Sequence, residues 1–125
     1  MGRLYTVSFS AVAVSAAVDL FEALAASAKP FILHELTVAQ SSDYGDAAAE
    51  GLSILLKKAT GSYTSGSGGS TATPRPHSTN DAAAGPTVET NNTTQASAGS
   101  GALLTMRAEA FNVQAGYQYL PTPEQ

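Results

Sequence analysis

Apolar and polar residues alternate strictly near the start of this chain, and a period of two there favours an extended strand over a helix. Tyr5, Val7 and Phe9 fall on one side of Leu4–Val14, while Thr6, Ser8 and Ser10 fall on the other. The same period returns in Gly51–Ala59, where Leu52, Ile54 and Leu56 oppose Ser53, Leu55 and Lys57. It returns again in Leu103–Val113, where Leu104, Met106, Ala108 and Ala110 oppose Leu103, Thr105, Arg107, Glu109 and Phe111. Phe31–Gln40 carries apolar residues on both sides, which predicts a central strand covered on both faces. Gly116–Leu120 extends or re-pairs the last strand before Pro121 and Pro123 stop it. Asp19–Ala25 is ambiguous: its Ala, Leu and Glu favour a helix, but its length and its flanking strands favour a returning β arm. We read it as a strand.

These strands lack bulk. The 125 residues make one ordinary domain, with 43% apolar residues of which many are Ala, 7% aromatics and no Trp. The expected core is thin. Charged residues are only 13%, about half the usual share, which argues against both charge-driven disorder and a salt-bridged helical bundle. A net charge of −4 argues against a nucleic-acid binder, which needs a basic stripe to neutralise phosphates. With no Cys there is no disulfide, thiolate zinc site or cysteine nucleophile to expect. The longest apolar stretch, 11–18, is too short for a membrane span, and the start lacks the pattern of a signal peptide.

The middle of the chain changes character. Thr60–Pro76 is rich in Gly, Ser and Thr around Gly66-Ser67-Gly68-Gly69-Ser70, the composition of a flexible loop. Short extended pieces follow at Arg75–Thr79 and Pro86–Thr90, and Asn91–Gly101 is a second small-polar stretch. Long polar loops between strands, without a strong helix, predict an all-β fold: an antiparallel β-sandwich or jelly roll. Five or six good strands are few for closure, so an edge stays open or a neighbouring chain covers it. Fixing backbone costs about 1–2 kcal/mol per residue, so ordering Thr60–Pro76 costs on the order of 20 kcal/mol. Small side chains offset little of that, which predicts a loop pinned by neighbouring protein, with packing onto the chain's own sheet as the alternative.

Familiar chemical motifs are incomplete. Asp43, Asp46 and Glu50 surround Gly45, but their spacing and number do not make a Ca²⁺ loop, and a solvated turn explains them. The glycine-rich segment lacks the Lys and the following helix of a phosphate cradle. His34 and His77 have no partner at metal spacing, and His34 reads as a half-buried sheet residue. The overlapping sequons of Asn91-Asn92-Thr93-Thr94 read as a polar turn bonding to nearby backbone. Lys57-Lys58 reads as protection of an exposed strand edge. Tyr117 and Tyr119 share a face and suit either a core rim or an interface. No cofactor, metal or small-molecule substrate is expected, and no enzymatic activity.

A resemblance adds to this reading. Gln40–Glu50, Thr64–Pro76, Glu89–Thr94 and Ala110–Gln118 together look like a family of small proteins encoded by tailed bacteriophages and prophages. The likeness extends over most of the chain from Leu4 to Tyr119. It implies a virion structural protein, a capsid decoration or cement protein with a β-sandwich fold. It also implies further strand-forming sequence after Gly116-Tyr117-Gln118, where this sequence runs only to Gln125, so an incomplete edge is expected. The implied partners are the major capsid protein and further copies of the chain, on the outside of the capsid, with the host cytoplasm as the site of assembly. Candidate contacts are the loops Gln40–Glu50 and Thr60–Thr79 and the arm Met1–Thr6, with Tyr5, Asp43, Tyr44, Tyr63, Arg75, His77, Tyr117 and Tyr119 as candidate interface residues. A tail, neck or fibre-associated virion protein is the first alternative. A carbohydrate-binding β-sandwich is the second, and needs an exposed aromatic platform.

Overall fold

A computed structural model describes residues 2–10, 12–41 and 50–122. The chain is all-β and antiparallel, and no helix occurs among the described residues, hence none long and apolar enough to cross a membrane. The strands are β1 (Tyr5–Thr6), β2 (Asp19–Leu24), β3 (Leu36–Val38), β4 (Gly51–Thr60), β5 (Tyr63–Thr64), β6 (Ser70–Ala72), β7 (Arg75–Pro76), β8 (Thr87–Asn92), β9 (Ser97–Ala98), β10 (Ala102–Asn112) and β11 (Tyr117–Tyr119).

One interrupted two-stranded ribbon organises most of them. Residues 51–72 run outward through β4, β5 and β6, and residues 88–112 return through β8, β9 and β10. The pairing passes from β4–β10 to β5–β9, then through the Ser67–Thr94 bridge to β6–β8. The register slips by one residue at three places. Met106 is a bulge between Thr105 and Arg107, a second slip falls at the Gly61 and Gly101 break, and a third lies between Ser67–Thr94 and Ser70–Thr90. In each case the extra residue is on the returning limb, the arrangement that bends a ribbon. At about 3.3 Å per residue the outgoing limb has a contour of roughly 70 Å. A compact domain of this length has a radius of gyration of about 14 Å.

Three attachments complete the fold. β2 pairs with the free edge of β8, making the three-stranded sheet β2–β8–β6. β1 pairs with β7, and β11 pairs with β3. Asp19–Leu24 is a strand, as its flanks suggest: the ladder to β8 overrides its helix propensity.

Several sequence expectations are corrected. Among the described residues of Leu4–Val14 only Tyr5–Thr6 form a strand, although Tyr5, Val7 and Phe9 stay half-buried between exposed Thr6, Ser8 and Ser10. Phe9 meets the Phe21 ring edge-on at 5.2 Å, so this segment packs on the sheet rather than joining it. Phe31–Gln40 is not a central strand: only Leu36–Val38 pairs, on one side, and Ile32 is 70% exposed. Phe31 and Ile32 are exposed, and Leu33, Leu36 and Val38 are no more than half-buried. Thr60–Pro76 is not a loop awaiting a neighbour but three short strands fastened within the chain. The bulge at Met106 also rearranges the faces of β10. Arg107, Glu109 and Phe111 pair with Leu56, Ile54 and Leu52, on the same face as the Leu104–Lys58 pair, whereas an unbroken alternation would put them beside Leu103.

Burial is sparse. Among the described residues only Val88 and Tyr119 are buried apolar residues, joined by buried Thr90 and Asn92.

Candidate interaction surfaces

β8 supplies three of the four buried residues just named, and the reason is local. Phe21 and Thr90 are paired across β2–β8, as are Glu22 and Glu89, which puts two carboxylates directly opposite each other. Like charges so placed repel. Here donors from the ribbon separate them. Asn91 takes φ 54°, a left-handed conformation that Asn tolerates better than most residues, and Asn92 turns towards the carboxylates. Its Nδ2 donates to Glu22 Oε2 at 3.1 Å and to Glu89 Oε2 at 2.9 Å. Ser65 Oγ donates to Glu22 Oε1 at 2.6 Å, the Gly66 amide donates to Glu22 Oε2 at 2.9 Å, and the Tyr63 hydroxyl adds a further bond. Burial pushes the Glu22 carboxyl up, but these hydrogen bonds outweigh it and hold the group below the usual carboxylate range. Burial and the neighbouring carboxylates push the Tyr63 hydroxyl up.

The glycine-rich segment is shaped to fit over this cluster. Gly68 takes φ 86°, and a Cβ at Gly69 would fall onto the Thr90 carbonyl oxygen and 2.5 Å from Asn92 Oδ1. These glycines permit close approach rather than flexibility. Asn92 is 1% exposed, so its side chain bonds to carboxylates instead of forming the backbone-bonded turn expected from sequence. Both Glu22 oxygens and Glu89 Oε2 are engaged by the protein's own donors, and the arrangement acts as a lock between sheet and ribbon.

Three of the sequence-derived candidates meet at the opposite ladder. Thr6 pairs with Arg75 and Tyr5 with Pro76; the His77 amide donates to the Leu4 carbonyl at 3.0 Å, and the His77 ring bonds to the Thr6 hydroxyl. Tyr5 donates to the Ala82 carbonyl at 2.8 Å, and Arg3 pairs with Asp81 at 3.4 Å. Arg75 and His77 are exposed here, beside a shallow groove of about 300 Å³ lined by Thr6, Val7, Ser8, Ala72, Thr73 and Arg75. Tyr5, Arg75 and His77 thus form one corner.

Tyr117 and Tyr119 lie elsewhere, against the β4–β10 ribbon. Phe111 and Tyr117 rings stand 5.6 Å apart, and the Arg107 guanidinium lies 4.8 Å above the Tyr119 ring. Arg107 also pairs with Glu109 at 2.6 Å. The Arg107 bond, with a second from Tyr117, holds the Glu109 carboxyl below its usual range, while burial and Glu109 push the Tyr117 hydroxyl up. Tyr63 belongs to the Glu22 cluster, so Tyr63, Tyr117 and Tyr119 are engaged within the chain and make no exposed platform for a sugar. Asp43 and Tyr44 lie outside the described residues. His34 is exposed and precedes β3, contrary to the half-buried strand position expected for it. No group of three or more metal-ligating side chains occurs among the described residues.

Sequence reading missed the Glu22–Glu89–Asn92 cluster. A strand pairing between segments about seventy positions apart brings it together, and no local spacing announces that.

Large apolar side chains remain uncovered on the ribbon: Leu55 is 50% exposed, Met106 58% and Leu104 48%. The chain exposes 8984 Å² in all. A compact monomer of 12.7 kDa exposes about 6,200 Å².

No family model, curated protein or solved structure matches the chain.

Proposed function

We propose that this chain is a non-enzymatic structural protein of a tailed-bacteriophage particle, a cement protein that seats on the outside of the capsid and binds the major capsid protein. The observation that carries the reading is the excess of accessible surface, roughly 2,700 Å² above a compact monomer of the same mass. Specific protein contacts bury about 1,200–2,000 Å² in total, so the surplus is of the size that an assembly consumes. The sequence resemblance to small phage proteins supplies the kind of assembly. The all-β architecture is compatible with a sandwich whose second layer is partly provided by neighbours. Many symmetry-related copies bound to one shell act together, so modest individual contacts resist internal pressure by avidity.

The Tyr5, Arg75 and His77 corner is the contact we assign to the shell, because its polar groups face solvent on short ladders while the Ser65–Ser70 segment is committed to the internal lock. The test is to add purified protein to undecorated shells and reconstruct the particles. The account expects density distributed over the whole shell, raised thermal resistance of the particle, and loss of both with Arg75→Glu. Density confined to a single ring at one vertex would assign the chain to the neck or tail instead. No binding would overturn the reading.

A further inference from the structure

We propose that the β4–β10 ribbon carries a docking surface for a second copy of this chain, on the face formed by Ser53, Leu55, Ala59, Leu103, Ala108 and Ala110. This deepens the assembly reading, but its test needs no capsid.

The edges of the ribbon are protected, and its opposite face is partly covered and broken up by charge. On the opposite face Tyr117 and Tyr119 pack on Phe111 and Arg107, and the exposed Leu52 and Leu104 there are separated by the Arg107–Glu109 ion pair, with Lys58 paired to Leu104. Lys57 and Lys58 are exposed on β4, and the Met106 bulge interrupts β10, which are two devices that discourage strand addition at an edge. On the remaining face Ala59 and Leu103 are half-buried, and the stretch around Leu55 is open to solvent. Ser53 pairs with Ala110 and Leu55 with Ala108, so a protruding Leu is ringed by small side chains. Leu55 is 50% exposed, and Ser53, Ala108 and Ala110 are exposed with it. Two stacked sheet faces approach to about 10 Å, which small residues permit.

The surface suits a copy of itself. A knob beside a hollow on one strip is self-complementary under a two-fold rotation, the condition for an isologous contact. Lys57, paired with Thr105, is the charged residue on this face and lies to one side of Leu55. A two-fold axis near Ala110 therefore sends the two lysines to opposite ends, where their ammonium groups reach water. Area favours the same occupant. The surplus of roughly 2,700 Å² is spread over the whole chain, enough for a self-contact of ordinary size, about 800 Å² per partner, beside the capsid contact, and a two-stranded ribbon is marginal unless other elements cover it. With two buried apolar residues among those described, the chain has little core of its own, and a second copy on this face adds to it.

Sedimentation and single-cysteine crosslinking of the purified full chain test this. The sequence contains no cysteine, so Ala110→Cys is a clean probe and Thr87→Cys on the distant sheet is its control. The proposal expects a mass that is a multiple of 12.7 kDa. It also expects disulfide-linked dimers from Ala110→Cys but not from Thr87→Cys, and association weakened at least about tenfold by Leu55→Lys. A folded monomer at every concentration would overturn it. So would an oligomer in which Ala110→Cys crosslinks no better than Thr87→Cys. Should Leu55→Lys fail to fold, the crosslinking pair decides the question alone.

Discussion

The β2–β8–β6 sheet and the β4–β10 ribbon solve the same shortage in opposite ways. Both arise from small side chains, and neither has a large apolar core. At the sheet, Glu22, Glu89 and Asn92 form a hydrogen-bonded cluster, and glycines let the returning chain close over it. That region is complete within one chain. The ribbon has the longer ladder, ten paired positions against five for β2–β8, yet leaves Leu55, Leu104 and Met106 in solvent. Backbone pairing alone does not remove apolar surface from water. The lesson is that regular strand length and independent stability are separate properties here.

The largest expected effect breaks the sheet side of the comparison. Asn92→Asp replaces the donor between two carboxylates by a third carboxylate at a site 1% exposed, and should cost about 3–5 kcal/mol. Thermal melting checks it. A loss no larger than that of an exposed substitution would mean the cluster holds nothing together.

Next comes Gly69→Ala, whose Cβ must displace the Thr90 carbonyl or Asn92. We expect about 1–3 kcal/mol of destabilisation by denaturant titration. A flexible linker would tolerate the same change, so this variant separates a fitted segment from a loose one.

Acid titration sharpens the comparison further. The Glu22 carboxyl is held below its ordinary range in the folded chain, so its stabilising contribution is complete above that range and lost as pH falls through the folded value. Melting temperature should therefore decline on acidification, and Glu22→Gln should flatten that part of the profile. An unchanged profile would remove Glu22 from the account.

Arg107→Ala on the ribbon should have the smallest effect. It deletes a solvent-exposed pair with Glu109 and a contact with the Tyr119 ring. Its shift in melting temperature should be below that of Gly69→Ala.

How far the sequence discloses this structure follows the same division. Period-two patterning identifies β4 and β10, while Asp19–Ala25 is ambiguous by pattern and reads as a strand only from its length and flanking strands. Phe31–Gln40 shows the limit of such patterns, since alternating apolar residues mark a cover that the structure does not supply. Thr60–Pro76 shows another. Glycine and serine are the composition of a linker, yet here the glycines answer the close approach of Asn92, visible only once β6 and β8 are paired. The Met106 bulge is likewise invisible to alternation, and it reverses which residues of β10 face Tyr117 and Tyr119. Of the candidate contacts, Tyr5, Arg75 and His77 gather at one ladder, whereas Tyr63, Tyr117 and Tyr119 are spent on contacts inside the chain.

Hydrogen exchange of the purified chain, followed at two widely separated concentrations, compares the regions directly. Amides of β8 should be protected to the same degree in both, while those of β4 and β10 should gain protection at the higher concentration. Equal and strong protection of β4 and β10 in a dilute monomer would contradict the claim that the ribbon is completed by another chain.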